Sequence, residues 1–198
     1  MLFRSAVAYH ATFAIPKIHT NLLYDRNQPV TSFAATSLPP QSPVLSFAKP
    51  DLWFTSDPPH TDLSTLLNRP IPHPYILSAL KKISDQKWFD GCTSVCDRRF
   101  DEGNERFPLC ALQLWLDFAE QARAQDVWKA VLSWVTKHFI QTDVPSDEAV
   151  FQETKTILPM LPWNTNIYGN NCTIANLTEL LGCDWISSDV LDLGIDTL

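Results

Sequence analysis

Five cysteines and five histidines are the side chains here that could do covalent or metal chemistry. Cys92 and Cys96 stand four apart, neighbours if that stretch is helical, and Cys110 follows. A structural zinc site is normally built from two tight ligand pairs, and no second Cys or His pair lies near these three. Ordinary thiols and no bound metal are therefore expected, with a zinc-stabilised domain on Cys92, Cys96 and Cys110 as the alternative. A nucleophilic thiol needs a base and an oxyanion donor around it, and neither Cys172 nor Cys183 lies in a local signature for one. His138 falls on an apolar helical face, where a core histidine with one hydrogen bond is expected rather than a base. Asp184, Asp189, Asp192 and Asp196 recur with the rhythm of a solvated helix face. The chain has five glycines, none in a phosphate-loop pattern, so no cofactor is expected.

Composition narrows the partners. A formal charge of −7 with fifteen Lys plus Arg argues against nucleic acid, whose phosphates demand clustered cations. No run of about 18 apolar residues is present, so no membrane span is expected. An odd number of cysteines without a tight framework points to reduced thiols and an intracellular protein, nuclear or cytoplasmic. On the same ground the sequons at Asn171 and Asn176 are discounted. The first twenty residues hold Arg4 and Lys17 and no acid, a faint likeness to a mitochondrial presequence, but a plain disordered tail is the reading adopted.

The elements that must position these residues are read from pattern. Eleven of the fifteen prolines lie between Pro16 and Pro74, so residues 1–74 are expected to form a Pro/Ser/Thr-rich, largely irregular tail. A helical region over 75–158 follows. Ile76, Leu80 and Ile83 line one face of a helix from Tyr75 to Phe89, and Asp90-Gly91 ends it. Pro108 suits a first helical turn, with a helix from Leu109 to Arg123 carrying Leu112, Trp115, Ala119 and Ala122. A second apolar run, Val127 to Ile140, has so little polar circumference that it is expected to be the most buried helix. Whether Ala124 to Asp126 separates the two runs stays open. Ser146 can cap a helix that ends at Leu158, and no period-2 run is long enough for a strand. The fold class is mainly α, a small helical bundle behind the tail.

The last stretch, 159–198, adds a resemblance. Leu161-Pro-Trp-Asn-Thr-Asn-Ile167 is followed by a short apolar run from Leu177 to Leu181 and then Trp185-Ile186. This resembles the segment that opens the peptidase domain in the ubiquitin-like-protein protease family, the SUMO-protease type of papain-like cysteine peptidase, in its fungal transposon-associated members. The resemblance implies that 159–198 holds the first helices of a papain-like fold. It also implies that the full-length form cleaves SUMO-type isopeptide or peptide bonds, and that a ubiquitin-like protein or another protein is the partner. Leu161, Pro162, Trp163, Trp185 and Ile186 match the family motif as packing residues. The family's usual acid after the Trp-Leu-Asn is Ser188 here. Its catalytic His, Asp or Asn, and Cys lie downstream of the Trp-Leu pair, whereas all five histidines of this sequence precede Trp185. No catalytic residue is therefore carried over, and these residues alone are expected to be a non-catalytic N-terminal portion of such a protein. On that reading Trp185, Ile186, Leu191, Ile195 and Leu198 await further packing partners. The alternative is a free-standing helical protein-interaction module.

Overall fold

The computed structural model describes residues 25–43, 49–99, 105–138 and 152–165. It is mainly α, with a small three-stranded sheet, and it divides into two compact units. The first contains Leu38–Gln121 and the second Tyr24–Ser37 with residues from Ala122 onward. Helix α1 is Val30–Ala35, α2 is Pro74–Phe89 and α3 is Cys110–His138; strands β1 to β3 are Phe54–Thr55, Ser94–Cys96 and Arg106–Pro108.

In the first unit α2 forms where periodicity places it, and its ends show why. Pro74 takes the first turn, where its missing N–H costs nothing, and the His73 imidazole accepts from the Tyr75 N–H at 3.2 Å. At the other end Gly91 has φ +92°, its N–H donates to the Trp88 carbonyl, and the Cys92 N–H reaches back to Lys87. That pair of bonds is a Schellman closure, which needs a residue at ease with positive φ. Ile76, Leu77 and Leu80 face inward.

Residues 49–74 do not form the unpacked tail expected from their prolines. Trp53, Phe54, Leu63, Leu66 and Ile71 are buried in the same cluster as α2, β2 and the start of α3. Two 3₁₀ turns, Pro50–Trp53 and Leu63–Asn68, carry most of them. The second turn is capped by the Asp62 carboxylate, which accepts from the Ser64 N–H at 2.7 Å. Proline forbids long helices here but leaves short turns free, and an apolar side chain every few residues is enough to anchor each one.

Strand β2 lies between β1 and β3, antiparallel to both, with Val95 opposite Phe54 on one side and Phe107 on the other. Pro108 therefore ends a strand, and the helix begins two residues later. A proline is tolerated there because β3 is an edge strand. Trp115 of α3 meets Trp53 and Phe107 edge-on, at centroid distances of 6.4 and 6.0 Å.

Helix α3 is continuous through Ala124 to Asp126, so the two apolar runs belong to one helix. Residues 110–121 belong to the first unit and 122–138 to the second. In the second unit Trp128, Val131 and Val135 are buried, while Val127 and Trp134 are 37% and 39% exposed. This half of α3 therefore presents one apolar stripe and is not buried all round, as its composition had suggested. Residues 152–157 are helical and end in a 3₁₀ turn, Leu158–Met160. The Ser146 cap, the His138 side chain, and Cys172, Cys183, Trp185, Ile186 and the terminal acids lie outside the described residues.

Candidate functional site

Of the motif residues singled out by sequence, three are placed, all in the second unit. The Val30 N–H donates to the Leu161 carbonyl at 2.9 Å, the Trp163 N–H donates to Gln28 at 3.0 Å, and Pro29 and Pro162 form an antiparallel bridge. The Trp163 ring stacks on Phe33 at 4.0 Å and 7°, and its indole N–H donates to the Asp25 carbonyl. Trp128 of α3 donates from its own indole to the Trp163 carbonyl at 3.3 Å. Gln125, buried on the same helix, donates its amide to the Phe33 and Thr36 carbonyls, which closes the end of α1. Leu161-Pro162-Trp163 is thus a joint to residues 25–36 and to α3, with Trp163 buried in it.

Two of the three described thiols are buried. Cys96 lies buried on β2 and Cys110 opens α3, also buried. Burial pushes both thiols up from their ordinary value, against a smaller pull from Arg98 and Arg106 on Cys96 and a backbone hydrogen bond on Cys110. Raised thiols are poor nucleophiles at neutral pH. Cys92 is in the turn after α2, not on a helical turn with Cys96 as its spacing had suggested. Among the described residues no three His, Cys, Asp or Glu side chains come together as a metal site.

The placed histidine rings are committed to structure. His73 caps α2, and the His60 Nδ1 accepts from the Arg106 Nε at 3.1 Å while Arg106 also pairs with Asp57. Thr93 and Ser94 donate their hydroxyls to the Asp57 carbonyl, so the whole cluster straps the 56–61 loop to the sheet. Beyond β2, the buried Asp97 takes Arg99 in a two-bond fork at 2.8 and 2.5 Å.

What remains is a groove of about 560 Å³ in the first unit. Helix α2 lends it Lys81, Ser84, Asp85, Trp88 and Phe89, and α3 lends Cys110, Leu112, Gln113 and Leu116, with Phe54 and Leu109 between. The floor is apolar: Phe54, Cys110 and Leu112 are buried. Phe89, in contrast, is 75% exposed, a large apolar side chain left in water at the groove's end. Lys81 and Asp85 stand one turn apart on the rim, and neither is in an ion pair among the described residues. Both side chains are exposed. Sequence reading gave no sign that α3 would run alongside, because nothing in a single helix pattern specifies its neighbour.

No protein-family model matches this chain, and neither a curated protein nor a solved structure shows significant similarity to it.

Proposed function

We propose that this chain is a non-catalytic helical portion of a ubiquitin-like-protein-specific cysteine-protease-like protein, and that its own work is to bind a protein. The resemblance of the Leu161-Pro162-Trp163 segment suggests the family, and on that reading the cleavage of SUMO-type bonds belongs to sequence other than this. What supports the non-catalytic half is the state of two of the described thiols. Cys96 and Cys110 are buried and raised in pKa, and neither placed histidine ring bonds to a cysteine.

The test is incubation of the purified chain with a SUMO-type protein bearing a C-terminal electrophile, and with a linear SUMO fusion. No covalent adduct and no cleavage are expected. An adduct that maps to any of the five cysteines would sink the non-catalytic reading.

A second reading, a free-standing helical interaction module, is favoured by the groove between α2 and α3. A helical unit that exposes Phe89 beside an apolar floor is suited to a protein partner whether or not protease sequence accompanies it.

A further inference from the structure

Resting on the binding reading above, we propose that the groove receives an amphipathic α-helix of another protein, one that sets an acid against Lys81 and a base against Asp85. The walls argue for a helix. On α2 the lining positions 81, 84, 85 and 88 follow the spacing of a helical ridge, and on α3 positions 112, 113 and 116, with Leu109 just ahead of it, repeat it. Each wall is about two turns long, roughly 10 Å at 1.5 Å per residue, which matches the three or four anchors that a groove-bound helix supplies at i, i+3, i+4 and i+7. An extended peptide would instead need a free sheet edge, and no strand lines the groove over more than the single residue Phe54.

The chemistry of the lining fits the same occupant. Phe54, Leu112, Leu116 and Trp88 offer a floor for apolar anchors. On the α3 rim the Gln113 amide donates to the Asp117 carboxylate at 2.7 Å. On the α2 rim Lys81 and Asp85 are opposite in sign, one turn apart and without ion-pair partners among the described residues. A helix with an acid and a base one turn apart meets both at once. A nucleic acid or an anionic lipid surface would meet one cation and be repelled by the carboxylate.

The experiment uses the full chain and a fluorescein-labelled stapled helical peptide about four turns long. Leucines occupy i, i+3 and i+7, with a flanking Glu and Lys placed one turn apart, and binding is followed by anisotropy. Saturable binding in about the micromolar range is expected. The double variant Lys81→Glu with Asp85→Lys should weaken it about 3- to 10-fold, and a peptide with Glu and Lys exchanged should restore it. Both residues are exposed, so the fold survives, as circular dichroism will verify. Leu116→Glu should abolish binding. Absence of saturable binding, or indifference to the charge exchange, overturns the proposal. So does a dimer in sedimentation that Leu116→Glu dissociates, since a second copy would then fill the groove. A ubiquitin-like protein that binds while the peptide does not would overturn the helix and leave the binding reading standing. Cleavage of a SUMO fusion would overturn the non-catalytic reading and leave the helix proposal standing.

Discussion

Trp163 ties together three parts of the second unit. It stacks on Phe33, donates to Asp25, and accepts at its own carbonyl from Trp128. Truncation removes an aromatic ring from a cluster that includes Val30, Val131, Val135 and Leu158. Trp163→Ala is expected to cost about 3–5 kcal/mol through lost burial and the cavity left behind. Trp163→Phe keeps the stack and loses the N–H to Asp25, so it should cost about 1–2 kcal/mol. Urea midpoints measured for both variants check the ranking, and an alanine variant within about 0.5 kcal/mol of the parent would refute the joint. The importance of Trp163 was visible in the sequence only as a motif. Its partners were not, because they come from residues 25–33 and from Trp128, and no local pattern links segments so far apart.

At the scale of elements, α2 was the most legible part of the chain. Its apolar period, the proline at its start and the Asp90-Gly91 stop all act within a few residues, which is the range over which sequence speaks directly. Gly91→Ala should therefore destabilise by about 1 kcal/mol. The cost lies in the backbone alone, since nothing is within 4 Å of the added methyl group while φ stays at +92°. Asn at the same position should cost less, and the two variants compared by thermal unfolding test the point. The strands were illegible for the opposite reason. Two or three residues cannot display an alternation, and β1 and β2 pair across about forty positions, with Phe54 opposite Val95. The groove shares this limit: both of its walls could be foreseen as helices, but not their adjacency.

For the molecule as a whole, the carboxylates give stability a definite response to pH. The Ser64 N–H bonded to Asp62 holds that carboxyl below its usual 3.8, and the Lys87 ammonium does the same for Asp51. A depressed carboxylate contributes fully above its ordinary value, and the contribution is lost as pH falls through the folded one. Lys87 is raised above its usual 10.5 by its bond to Asp51, so its share is complete below that value and is lost as pH rises past it. From these groups the urea midpoint should stay level through neutrality and fall at both extremes. In Asp62→Asn, which can still accept from Ser64, the acid fall should be shallower; an unchanged acid limb would disprove the role given to the cap. The sequence revealed this acidic balance but not which acids are engaged, since an aspartate in a proline-rich stretch reads as solvent-facing until its turn is seen. The joint between residues 25–33 and 158–165 bears finally on synthesis. Asp25 and Trp163 are 138 residues apart, so a ribosome adding ~5–20 residues per second takes roughly 7–28 s to supply the second half. Through that interval Phe33 and Val30 leave the ribosome without their partner, and the nascent chain should depend on chaperones that shield apolar segments.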